Sequence, residues 1–255
     1  MQYFAAYRFI FWNPKWLIII LIGCLCMLIP VVGIIVFIGY LFEIIEFFHR
    51  RCEEEKVPTV QPADDAIQTG RGPMTDDARE AAYPDFDVNR LSDYLMRGLW
   101  PVLVNVVASL LILFALGIFF FVSLILIRVA ADNNVGGLVI GITIGVMVVA
   151  YFALILVWSI VQVPIYLRAG LGRDFASAFS VRFFKDFLRR VGKELILAQL
   201  FLFAGSLVLT LAGLVACYFG LYPATVVMIM ATHYMDFELY ELYLERGGTA
   251  IVPVR

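Results

Sequence analysis

The chain has two histidines, and each sits beside carboxylates. Glu46-Phe47-Phe48-His49 is an E-x-x-H with Glu43 just before it, and His233 and Asp236 form a second pair three residues apart, followed by Glu238. Carboxylates and E-x-x-H pairs on neighbouring helices hold two metals in some bundles. Glu46, His49, His233 and Asp236 are therefore a candidate metal set for a membrane enzyme. A full di-metal centre needs two E-x-x-H motifs, and one is present. The reading favoured is that Glu43, Glu46, Asp236, Glu238 and Glu241 mark where helices leave an apolar phase. Cys24 and Cys26, one residue apart on a helix, point in different directions, Cys52 and Cys217 are isolated, and zinc spacings are absent. Phosphate loops, nucleophile elbows and H-E-x-x-H are absent too, so the sequence assigns no catalytic residue and no cofactor.

A second constellation is basic. Residues 174–191 read DFASAFSVRFFKDFLRRV. Asp174 is placed to cap a helix, and Phe175, Phe179, Phe183 and Phe187 recur every four residues. Arg182, Lys185, Arg189 and Arg190 mostly fall on the other side. The spacing predicts an amphipathic basic helix over 174–191, lying in a membrane interface with its cations near lipid phosphates. Arg182, Lys185, Arg189, Arg190, Phe179 and Phe183 are the candidate lipid- or partner-binding residues. The alternative is that the Phe stripe packs on other helices and the charges only set orientation.

The elements that carry these residues are set by composition. The 255 residues are 62% hydrophobic and 16% charged, with mean hydropathy +0.91. Soluble domains average about 45–50% apolar and about 25% charged. A soluble enzyme is disfavoured, and a net charge of -2 disfavours nucleic acid as a partner. A spanning helix needs roughly 20 apolar residues. Uncharged stretches run over Leu17–Phe42, Gly98–Ile127, Asn133–Leu167 and Leu195–Met235. The last breaks at Tyr218–Pro223 into helices expected over Glu194–Cys217 and Tyr222–Leu244. The first breaks at Ile29-Pro30-Val31-Val32-Gly33. If residues 17–48 enter and return, 18 of the 19 Lys and Arg fall on one side with both termini, which the positive-inside rule makes cytoplasmic.

The expected fold class is all-α: a polytopic membrane bundle of about six hydrophobic helices, the first pair a short or re-entrant hairpin, plus the amphipathic helix. The expected organisation is an N-terminal membrane hairpin over 1–49, a flexible acidic cytoplasmic loop over 50–87, and a helical bundle over 88–255. Val88, Leu91, Tyr94 and Leu95 form an apolar stripe leading into the next span. No cleavable signal peptide is visible, so the first helix is expected to remain. Gln162, Asn105 and Gln199 are the deep polar groups: a transporter would use them as a polar site, and a packed bundle as interhelical hydrogen bonds. Gly137, Gly141 and Gly145 share one helix face and allow close approach, through Gly205 and Gly213 or through a second subunit.

The opening Phe11-Trp12-Asn13-Pro14-Lys15-Trp16, then Gly23, Ile29-Pro30, Gly33 and Gly39-Tyr40, resembles a family of bacterial and archaeal polytopic membrane proteins described only as a domain of unknown function. Phe179, Gly213, Cys217, Gly220, Pro223 and His233 fit the same pattern. More loosely, the second half is similar to the six-helix membrane domain of glycerophosphodiester phosphodiesterases. The resemblance implies a fold and no reaction. The function expected is a non-enzymatic, multi-pass component of the cytoplasmic (inner) membrane that binds lipid or a partner, with membrane lipids and a protein partner or second copy as candidates. The alternatives are a small transporter or permease component and, less favoured, the metal-dependent enzyme.

Overall fold

The computed structural model describes residues 3–56, 83–132, 137–215 and 219–251. Among them there are helices and no strand. The helices are α1 (Ala5–Arg8), α2 (Trp16–Leu28), α3 (Val32–Lys56), α4 (Leu91–Asp132), α5 (Gly137–Gly172), α6 (Phe175–Ala178), α7 (Val181–Val215) and α8 (Leu221–Glu245), with 3₁₀ turns at Phe9–Trp12 and Val88–Arg90. The chain divides into two compact units, Met1–Leu99 with Leu200–Val252 and Trp100–Gln199 with Pro253–Arg255. Helices α4 and α7 contribute to both.

In the first unit α2 and α3 form a hairpin through the predicted break at Pro30. Gly23 faces Phe37, and Gly33 lies against the carbonyl of Cys26, so the two helices run antiparallel. Helix α8 is its centre, with Val226, Met230, Tyr234, Phe237 and Tyr240 all buried. Phe9 stacks on Tyr234 with ring centroids 4.7 Å apart, and Phe48 packs on Phe237. The Asn-Pro-Lys-Trp segment has a specific structural role. Asn13, 1% exposed, donates to the Tyr83 carbonyl (2.9 Å) and to Asp85 (3.1 Å), and accepts from the Lys15 backbone N–H. Lys15 pairs with Asp85, and the Tyr83 and Tyr40 hydroxyls donate to the carbonyls of Ile10 and Pro84. The hydrogen bonds from Lys15 and Asn13 hold the Asp85 carboxyl below its ordinary pKa.

The start of α4 crosses α3 at very short range. A Cβ on Gly39 would lie 1.8 Å from the Tyr94 carbonyl oxygen, and one on Gly98 would lie 1.9 Å from the Ile35 oxygen. Only glycine fits at both positions, and their contact places Arg90 and Arg97 opposite Glu43 and Glu46.

In the second unit Val104 of α4, Ala169 of α5 and Ala178 of α6 form a small core with Ile165 and Phe175 beside it. Beyond this core the helices are exposed and apolar nearly all round: Leu111, Phe114, Phe121, Val146 and Val149 are all open. A helix apolar on every side belongs in a buried or lipid environment.

Among the described residues, four helical segments are long and apolar enough to cross a membrane: Val32–Glu54, Val88–Val129, Ile140–Gly172 and Val181–Val215. Ala5–Trp12 and Trp16–Leu28, bent by 105°, make a fifth if taken as one span. These are the helices of a multi-pass membrane protein.

Several boundaries differ from expectation. Residues 50–56 continue α3 rather than opening a loop, and residues 83–87 are irregular but tied down, with Tyr83 buried. The remainder of the expected loop, 57–82, lies outside the described residues. The stripe over 88–95 does not face a core: Val88 and Leu91 are exposed, and Tyr94 alone is fully buried. Helix α8, expected as a full span, is not among the long apolar helices, because His233, Asp236, Glu238 and Glu241 fall within it. The helix expected from Glu194 already begins at Val181.

The Gly39 contact gives a test with opposite signs at two glycines. Gly39→Ala places a methyl against backbone and lowers the melting temperature of the detergent-solubilised protein, by about 1–3 kcal/mol of stability. Gly145→Ala, where nothing lies within 4 Å, leaves it unchanged or raises it, since alanine favours helix by about 1 kcal/mol.

Candidate functional site

The basic segment is built on the first turns of α7. The expected single helix over 174–191 is in fact two. Asp174 caps α6, accepting from the backbone N–H groups of Ser177 (2.8 Å) and Ala176 (3.3 Å), which lowers its pKa. Helix α6 ends at Ala178, and α7 runs unbroken from Val181 for 35 residues. The amphipathic pattern is thus the beginning of a long helix, not a separate one.

Its two faces separate cleanly. Phe183, Phe187, Val191, Leu195 and Ala198 are buried. At about 100° per residue they cluster opposite Arg182, Lys185, Arg189 and Lys193. Those four cations are exposed, and among the described residues no carboxylate pairs with them. They form one stripe about 16 Å long at 1.5 Å per residue. Arg190 stands apart from it, held by both Asp186 oxygens at 3.0 Å. Phe183 is covered by the Arg168 guanidinium, 5.0 Å from its ring centroid. Phe179 is 37% exposed in the break between the helices. Three of the four predicted cations therefore share a face, Arg190 is ion-paired with Asp186, Phe183 is buried, and Lys193 is the member the sequence reading passed over. Its signal was the spacing 182, 185, 189, 193.

The candidate metal ligands are engaged otherwise. His49 Nδ1 lies 2.5 Å from Glu241 Oε1, and its Nε2 lies 3.6 Å from Glu53. Glu46 faces Arg97 at 3.4 Å and Arg50 at 3.6 Å. His233 Nδ1 meets the Ile229 carbonyl at 2.8 Å, and Asp236 is buried with Oδ1 unpaired. Among the described residues no three His, Cys, Asp or Glu side chains are placed to hold a metal. A cluster missed in the sequence is ionic: Arg90 Nη1 meets Glu43 Oε1 at 2.6 Å, and Arg97 lies between Glu43 and Glu46.

The deep polar groups form a pair. Gln162 donates to Asn105 Oδ1 at 2.6 Å, joining α5 to α4. Gly137, Gly141 and Gly145 meet nothing within 4 Å, whereas Gly205 receives the Tyr7 hydroxyl and Gly213 the backbone of Gly220.

A family model matches residues 22–218, most of the chain. The chain belongs to DUF4013, a family of proteins of unknown function. No curated protein and no solved structure matches it. The broader likeness to the membrane domain of glycerophosphodiester phosphodiesterases is not among the matches. The DUF4013 match takes in the second half of α2, all of α3, the Gly39–Gly98 crossing, the Gln162–Asn105 pair and the basic stripe.

As a structural hydrogen bond, the Gln162–Asn105 pair has a defined signature. Gln162→Leu leaves Asn105 Oδ1 only the long 3.5 Å bond from the Ser109 hydroxyl and costs about 1–3 kcal/mol, while the double change Asn105→Leu with Gln162→Leu costs less than either single change. Thermal melts of the three variants check this.

Proposed function

We propose that this chain is a non-enzymatic, multi-pass component of the cytoplasmic membrane, with both termini on the cytoplasmic side, that gathers anionic lipid headgroups at the stripe on α7. The observation that carries this reading is the stripe itself: four exposed cations in one line, free of acidic partners among the described residues, at the head of a long apolar helix. The skew of Lys and Arg between the two sides supports the orientation.

The continuity of α7 refines the picture. From Leu195 to Val215 the helix carries no charge, long enough for one crossing, so the stripe continues along the axis from the hydrocarbon edge. Lys193 and Arg189 then lie in the headgroup layer. Lys185 and Arg182 stand further out, where attraction to an anionic surface is screened over a Debye length of about 8 Å.

The test uses full-length protein in nanodiscs of mixed zwitterionic and anionic lipid, with retained lipid counted by native mass spectrometry. Each cation near an anionic surface contributes about 1 kcal/mol. Changing Arg189 and Lys193 to Gln together is expected to reduce enrichment of anionic lipid roughly tenfold or more. Changing Arg182 and Lys185 to Gln costs less. Unchanged enrichment with all four neutralised overturns the proposal. Equal loss from both pairs, with co-purification of an acidic protein, replaces lipid by a protein partner.

A further inference from the structure

Helix α2 is too short to cross a bilayer, α3 reaches spanning length only by taking in Glu43 and Glu46, and the tip they share is apolar. Helix α2 has 13 residues, about 20 Å of helix, against a hydrocarbon core of about 30 Å. On α3 the uncharged arm runs only from Val32 to Phe42 before Glu43. The base of the hairpin is fixed by charge. Lys15 precedes α2, while Glu43 on α3 meets Arg90 and Arg97 at the start of the uncharged part of α4. Gly98, the first residue of that part, lies against Ile35 and Gly39. From Glu43 back to Val31 is about 18 Å at helical rise, a little beyond half the hydrocarbon thickness.

A turn that emerged into water on the far side would carry polar residues. This one reads Ile29-Pro30-Val31-Val32, and every residue of it is exposed. Val31 has φ 66°, the left-handed region that Gly or Asn adopts at little cost and a β-branched residue does not. The sequence thus places an apolar side chain where a water-facing turn takes a polar or glycine residue. Four backbone N–H groups of the tip are also paired within it. The N–H groups of Ile29, Val32, Gly33 and Ile35 donate to the carbonyls of Cys26, Pro30, Ile29 and Val31, and Pro30 has no N–H. In lipid every polar backbone group needs such an internal partner. The outer face of α2 continues the apolar surface through Leu17, Leu21, Leu25 and Leu28, each more than half exposed.

We propose that α2 and the first turns of α3 form a re-entrant wedge whose binding partner is the acyl chains of a single leaflet. It enters beside Lys15, turns at Val31 inside the hydrocarbon and leaves beside Glu43. This rests on the membrane reading above and is independent of the headgroup stripe, because its test reads depth and not lipid charge.

The test places a single cysteine at Val31 (Val31→Cys) in the full-length protein, with Cys24, Cys26, Cys52 and Cys217 replaced by alanine, reconstituted in lipid vesicles. Ile29→Cys serves as a second variant if the first does not fold. A membrane-impermeant maleimide applied from either side is expected to leave Val31→Cys unlabelled, and detergent to restore full labelling. A nitroxide at the same cysteine is expected to be open to oxygen and closed to a water-soluble nickel chelate. Labelling from the side opposite Lys15 overturns the proposal in favour of a full crossing. Labelling from the Lys15 side places the hairpin in water and overturns it as well. A nitroxide closed to both probes shows a tip covered by protein and removes lipid as the partner.

Discussion

The pairing of Arg90 and Arg97 with Glu43 and Glu46 is the constraint on which the first unit turns. Four charges half or more buried among apolar helices are costly apart, and removing one partner of such a set is far more damaging than removing both. They can meet only because Gly39 and Gly98 let α3 and α4 approach to backbone contact. The network therefore fixes the register of two helices and marks the level at which both become charged. Asn13 adds a second tie at the same end, holding the chain before α2 to Tyr83 and Asp85. With that end secured, the α2–α3 hairpin needs no polar anchor at its tip, and it has none.

Much of this architecture was legible in the sequence, since hydrophobic length and Pro-Gly breaks act locally. The break at Pro30, the return of the hairpin and the helical class follow from residues a few positions apart. The parts that were not legible depend on contacts across the chain. Nothing near Tyr83 announces that it will be buried by Ile10 and Asn13, some seventy residues away. Glu43 and Glu46 read as plain exit markers because their partners lie in another helix.

The basic segment shows the same division. The opposition of Phe183 and Phe187 to Arg182, Lys185 and Arg189 is a matter of helical period and was readable. The length of α7 was not, because the pattern changes from amphipathic to wholly apolar near Leu195, and the helix runs straight through Gly192. Reading that change as a boundary produced a separate interfacial helix where the chain builds one rod. Among the metal candidates, sequence proximity joined Glu46 to His49 and His233 to Asp236, but folding gives Glu46 to arginines and His49 to Glu241.

An ion network at the edge of the hydrocarbon sets the depth of every residue of α4 beyond it. Nitroxide depth at three exposed positions of α4 tests it most directly: Met96 beside the network, then Leu103 and Leu110, each as a single cysteine in reconstituted full-length protein. Met96 is expected at the headgroup level, with a steady descent to Leu110, roughly 20 Å deeper at helical rise. Equal depth at Met96 and Leu110, or a Met96 label at the bilayer centre, contradicts it.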